Sequence, residues 1–212
     1  MRTIIGIVGY YGFVRGYPLG PELMERLSAL SWPSGVDIRE MNWGPVAIVQ
    51  DFQASDDKPE RVVLVGALDR GLATGTVSCR RWVGGILEVS AVQRRMFEAV
   101  TGVISLDNLL VIGAHFGVWP PSTFTVELQW LEAGIGDLVL DEIESIRGTS
   151  QVIGERPLTP ENDLVVQRLV ESIRRVALDI APSNMQLLTV EQLTPVAAIL
   201  HHRFYENSGL PP

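Results

Sequence analysis

The chain has 212 residues, of which 46% are apolar and 20% charged, values that suit one folded core and exclude a disordered chain. Seventeen basic side chains against 25 acidic ones leave a net charge of −8, which repels a phosphate backbone and argues against nucleic acid as a partner. The single cysteine, Cys79, excludes an internal disulfide and a thiolate metal cluster. No apolar run approaches the roughly 18–20 residues that span a bilayer, and the opening MRTIIG lacks the apolar core and cleavage site of a signal peptide. The expectation is a cytoplasmic protein with no membrane partner.

Taken in order, Thr3 to Val8 is a β-branched apolar run closed by Gly9, the pattern of a buried parallel strand. The loop Gly9–Leu19 follows, and Pro21 opens a helix with Leu23, Met24, Leu27 and Leu30 on its apolar stripe. Val36–Met41 reads as a second strand and Pro45–Asp51 as a short helix. Arg61–Val65 is a third strand and Thr76–Val83 a fourth. Ser90 is expected to cap a helix whose apolar face is Val92, Met96, Phe97, Ala99 and Val100. Leu109–Gly113 reads as a fifth strand and Thr125–Ile146 as a long helix. This alternation predicts an α/β fold, three layers deep, with a mostly parallel sheet of the phosphorylase/hydrolase kind. After Arg147 the chain turns polar over Gly148–Pro160, then gives a helix at Asn162–Ile180, a strand at Gln186–Val190 and a last helix at Glu191–Tyr205. Residues 1–147 are therefore expected to form the α/β domain, and 148–212 a linker and helical extension packed on it.

Candidate chemistry is sparse. Gly6, Gly9 and Gly12 are spaced G-x-x-G-x-x-G, whereas dinucleotide binding requires G-x-G-x-x-G running straight into the helix. Asp69 lies just past the third strand, and His115 follows the expected fifth strand, so both are placed at strand ends where open sheets bind ligands. The arginines Arg80, Arg81, Arg94 and Arg95 read as two solvated edges. Aromatic residues in glycine- and proline-rich loops, Tyr10, Tyr17, Phe116 and Trp119, are candidate partner contacts.

The landmarks Gly6-Ile7-Val8-Gly9, Gly20-Pro21-Glu22-Leu23-Met24-Glu25-Arg26-Leu27, Val62–Ala67, Gly71, Gly75-Thr76-Val77 and Ser90-Ala91-Val92 stand in a familiar order. So do Val111-Ile112-Gly113, Thr125-Val126-Glu127-Leu128 and Val139-Leu140-Asp141-Glu142-Ile143. In that order and spacing, residues 1–147 resemble the hydrogenase maturation proteases, endopeptidases that trim the C-terminal tail of a [NiFe]-hydrogenase large subunit. The resemblance implies a metal site for nickel or a similar cation, built from a carboxylate before the first helix, an aspartate at a strand end and a histidine before a later helix. The matching positions here are Gly16 or Tyr17, Gly66 and Val92, and the family's turn asparagine is replaced by Tyr10. None of the three offers an ordinary side-chain ligand, so no cofactor is expected, and nickel only had the site been kept. The expectation is thus a divergent, metal-free relative, a pseudoenzyme acting as a binding or assembly factor on a hydrogenase large subunit or its precursor. The alternatives are an active endopeptidase with a site relocated to Asp69 and His115, and a binder of a small molecule or nucleotide. Whether it is an enzyme stays open at this point.

Overall fold

A computed structural model describes residues 1–9, 16–85, 87–100, 105–129, 144, 147–148, 158–180 and 185–193. Among these residues, six strands form one sheet: β1 (Thr3–Val8), β2 (Val36–Met41), β3 (Arg61–Leu68), β4 (Val77–Gly84), β5 (Ser122–Gln129) and β6 (Gln186–Thr189). Their spatial order is β2-β1-β3-β5-β4-β6. The first four in that order run parallel, β4 runs antiparallel to β5, and β6 is parallel to β4. Among the described residues, five helices cover the sheet: α1 (Pro21–Ser28), α2 (Pro45–Ala54), α3 (Val89–Val100), α4 (Leu106–His115) and α5 (Pro160–Ala177).

Strand alternation sorts the core into two layers. Ile5 and Ile7 of β1, Val63 and Val65 of β3, and Phe124, Val126 and Leu128 of β5 meet α1 and α5 on one face. Ile4, Val8, Val62 and Leu64 meet α2, α3 and α4 on the other. The expected three-layer α/β architecture is the one observed. The segment after residue 147, read as an appended extension, contributes α5 to the first core layer and β6 to the sheet.

Two expectations between residues 105 and 146 are corrected. Leu109–Gly113 is helix, not strand. Ser105 caps it, its hydroxyl accepting from the Asn108 amide at 3.1 Å, and Asp107 stands in the first turn. Every residue from Leu106 to Gly113 is buried, so no polar face marks the helical period, and a short apolar run of this kind reads equally well as a strand. Conversely, Ser122–Gln129 is the central strand β5, where the start of a long helix was expected. The strand–helix order assigned to Val111–Gly113 and Thr125–Leu128 is therefore helix–strand. The rest of that expected helix, the strand expectation at Val190 and the helix beyond Gln192 meet different ends. Val190–Gln192 is a 3-10 turn, and residues 130–143, 145–146 and 194–205 lie outside the described ones.

At the amino end of the sheet, Arg61 is 4% exposed and lies over the Phe124 ring. Its Nη1 donates to the Val176 and Ala177 carbonyls at 3.2 and 3.3 Å, and Nη2 donates to Asp179 at 2.6 Å. The two carbonyls belong to the last turn of α5, where the helical ladder runs out and the Val176 oxygen also accepts from the Asp179 amide at 3.3 Å. Arg61→Met keeps the bulk and removes the donors. It is expected to cost about 2 kcal/mol, read as a lower denaturant midpoint at unchanged slope.

Candidate functional site

The strands carry most of their chemistry at the carboxyl end of β3 and β5. On the face of β5 turned toward α3 and α4, Thr123, Thr125, Glu127 and Gln129 follow one another and all are buried. Such a polar stripe inside a core requires partners. Arg70, two residues past β3, provides the main one. Its Nε donates to Glu127 Oε2 at 3.1 Å, and its Nη1 and Nη2 donate to Asp107 Oδ2 and Oδ1 at 3.0 and 2.7 Å. That two-point grip on Asp107 is the strong geometry for a guanidinium and a carboxylate. Nη1 also donates to the Gln192 carbonyl at 3.3 Å. The side chains of Arg70, Asp107 and Glu127 are 6%, 2% and 1% exposed. Burial alone pulls the Arg70 guanidinium down, but Asp107 and then Glu127 more than reverse this and hold it charged above its ordinary range.

The network extends on both sides. Thr125 Oγ1 donates to Glu127 Oε1 at 2.9 Å, and Arg80 on β4 lies 3.4 Å from Glu127 Oε2. Arg95 on α3 donates to Asn108 Oδ1 at 3.0 Å and stands 4.0 Å from Glu98. Arg80 and Arg95 are thus inward residues, which corrects their reading as solvated edges. The face of α3 is corrected with them. Val92, Arg95, Glu98 and Ala99 are buried, whereas Phe97 and Val100 are 67% and 76% exposed. The helix turns two charged residues inward because Arg95 and Glu98 find each other and Asn108 there.

Asp69 Oδ1 accepts from the Gly71 amide at 2.9 Å and from Gln129 Nε2 at 2.8 Å. Those two bonds, the Gly71 amide first, lower its carboxyl below the usual aspartate value. Gln129 Oε1 in turn accepts from the Arg70 amide at 2.7 Å. Gln129 therefore pins the turn that aims Arg70 inward, and Gly71 permits that turn through its φ of +70°.

His115 lies elsewhere. It ends α4, whose first turn is at the carboxyl end of the sheet beside Gly66 and Arg70, and from which the chain passes to the first residue of β5. It is exposed, with its ring edge-on to Phe116 at 5.1 Å. Asp69 lies just past the carboxyl end of β3, whereas His115 stands nine residues along α4 from Leu106, about 14 Å by helix rise. The structure does not bring them together.

The other candidates divide. Tyr17 is 1% exposed in the core formed with α1 and α5. Trp119 donates to the Leu110 carbonyl at 2.9 Å and packs edge-on against Phe52 at 5.3 Å. Tyr17 is thus enclosed in the core, whereas Trp119 is partly buried against the second core layer. Phe116 is 43% exposed, and Tyr10 lies outside the described residues.

The positions assigned to a metal by resemblance can now be tested against their surroundings. Gly66 is buried in β3, and a Cβ there would meet the Leu106 Cβ at 3.0 Å. Val92 is 5% exposed among apolar neighbours. The Gly16 carbonyl accepts from Asn162 Nδ2 at 2.8 Å. These residues do not fit a cation. Carboxylates are nevertheless close by: Glu127 is the register partner of Gly66 on the next strand, and Asp107 follows Leu106. Both are gripped by Arg70, a positive charge in the midst of the donors.

No protein-family model and no curated protein matches the sequence. Among solved structures, an endopeptidase from Escherichia coli matches with a TM-score of 0.52 at 13% identity, covering 88% of this chain and 96% of that one. The chain shares the fold of that endopeptidase. The hydrogenase-maturating endopeptidase HybD from E. coli is similar at a TM-score of 0.49 and 14% identity over 85% of this chain and 94% of that one. The [NiFe] hydrogenase maturation protease HycI from Thermococcus kodakarensis is similar at 0.47 and 19% identity, over 84% and 92%. A fold shared at such identities carries no activity with it. Among the described residues, no helix is long and apolar enough to cross a membrane.

The buried network has a measurable pH signature. Burial raises the Glu98 carboxyl above its ordinary value of 4.5, against the smaller opposing pull of Asn108 and Arg95. A raised folded-state pKa contributes stability that is present below the unfolded value and is lost as pH climbs through the folded one. Glu98→Gln is therefore expected to remove a loss of stability that wild type shows on the alkaline side of pH 4.5. Urea melts of both proteins between pH 4 and 7 check this, and parallel stability curves would contradict it.

Proposed function

We propose that this protein is a maturation-protease-like factor that binds a hydrogenase large subunit or its precursor without cutting it. The observation that carries this reading is the guanidinium of Arg70 lodged between Asp107 and Glu127, next to Gly66. Hydrolysis assisted by a metal requires an ion with an open coordination position. Here the nearby carboxylates are neutralised by arginine, and the matching family positions are glycine and valine. The role left to such a chain is recognition, with the precursor as partner and the cytoplasm as its place of action. The sequence resemblance over residues 1–147 supports the choice of partner.

The test mixes the purified protein with a large-subunit precursor carrying its C-terminal tail. The expected result is a complex that co-elutes in size-exclusion chromatography while the precursor keeps its full intact mass. Loss of the tail, abolished by a chelator, would overturn the proposal. Calorimetry with nickel, zinc or cadmium is expected to give no micromolar binding.

A further inference from the structure

The grip on Arg70 has a consequence beyond the proposed lack of cleavage, on which it rests. Asp107 and Glu127 are nearly sealed from water, and two buried carboxylates cannot both stay ionised without a cation. Their cation arrives on a surface turn: Asp69 and residues 71–74 are exposed, and only the Arg70 side chain turns inward. Among the described residues, the guanidinium meets oxygens from both arms of Asp107, both arms of Glu127 and the Gln192 carbonyl. An all-oxygen set of this kind, with no histidine or thiolate among the described residues, is the one preferred by hard divalent cations.

We infer that Arg70 is a tethered counter-cation, the specificity-determining residue that keeps this end of the sheet closed to free metal ions. Its charge neutralises the carboxylates, and its planar head fills the space a cation needs. Two properties of the fold keep it in place. The two-point bond to Asp107 fixes the orientation of the head, and Gln129 fixes the backbone that delivers it. Removing the side chain leaves the carboxylates in position, because Asp107 is held by the first turn of α4 and Glu127 by β5. The vacancy then accepts Ca2+ or Mn2+ in place of the lost guanidinium, so Arg70→Ala is expected to exchange an internal cation for a dissolved one.

The experiment is thermal unfolding of the full chain, alone and with 1–10 mM (on the order of a weak site's range) Ca2+, Mn2+ or Mg2+. Wild type is expected to melt at one temperature whatever the cation. Arg70→Ala is expected to melt lower, and to recover part of the loss as Ca2+ or Mn2+ is raised. Arg70→Ala with Asp107→Asn is expected to lose that recovery, and Arg70→Lys, which keeps the charge, to show none. If Arg70→Ala does not fold, Arg70→Gln, closer in length, takes its place. A variant that folds but does not respond to any of the three cations overturns the inference and leaves the proposed function standing. Wild type that binds nickel, zinc or cadmium tightly overturns the proposed function itself.

Discussion

Glu127→Leu is expected to destabilise the protein by about 3–5 kcal/mol, the largest effect of any single replacement on the polar face of β5. Glu127 is 1% exposed and accepts from Arg70 and Thr125 while standing beside Arg80. Leucine fits the volume but strands Arg80 without its carboxylate and leaves Arg70 to Asp107 and the Gln192 carbonyl. The cost is mainly that of the charges left behind, since a lone buried ion is far less tolerable than none. Replacing all four members together, Arg70→Met, Arg80→Met, Asp107→Leu and Glu127→Leu, is therefore expected to regain most of the loss. Chemical denaturation of the single and quadruple variants measures both. A neutral Glu127→Leu would mean that the network is not formed in solution.

Gly66→Asp, which restores the aspartate implied by the family resemblance, is expected to destabilise by on the order of 4 kcal/mol and to gain no metal. The new Cβ would lie 3.0 Å from that of Leu106, inside the ordinary contact distance. The new carboxylate would stand one strand away from Glu127, its register partner, at about the 4.8 Å spacing of adjacent strands. Two like charges so close in a buried place raise the pKa of one of them. The penalty is present while both are ionised and shrinks as pH falls through the raised value. Unfolding curves at pH 7 and pH 5 should show the difference from wild type narrowing. Calorimetry with nickel should show no binding, because Arg70 still occupies the neighbouring carboxylates. Micromolar nickel affinity in Gly66→Asp would show that a single missing ligand, rather than the rebuilt network, accounts for the departure from the family pattern.

The parts of the site that could be read from the sequence were those with a local mark. Asp69 stood at the end of an apolar strand, as expected. The absence of donors at Gly66 and Val92 was visible from their identity alone. Glu127 was missed although its signal was present. Thr123, Phe124, Thr125, Val126, Glu127, Leu128 and Gln129 alternate polar and apolar residues without a break, which is the period of a strand. The expectation of a helix beginning at Thr125 hid it. Asp107 carried a weaker mark, the helix-opening pair Ser105 and Asp107. Arg70 carried none, because an arginine on an exposed turn reads as solvated until its target is known.

The sequence by itself determined the layered α/β class, the bounds of β1 and β2, the start of α1 and the place of α5. Each is announced by a run of apolar residues with a clear period and a glycine, proline or capping residue at its edge, and such signals act over a few neighbours. Only the tertiary structure decided that Leu106–His115 is a helix, that α3 turns Arg95 and Glu98 inward, and that Arg70 reaches Asp107 across 37 positions of chain and Glu127 across 57. Burial on all sides erases the periodic pattern of a helix, and a charged residue stays in water until a partner of opposite sign is brought within about 3 Å, so its identity alone does not announce burial. That meeting depends on which strands become neighbours, and the order β3-β5-β4 is a property of the assembled sheet rather than of any one segment.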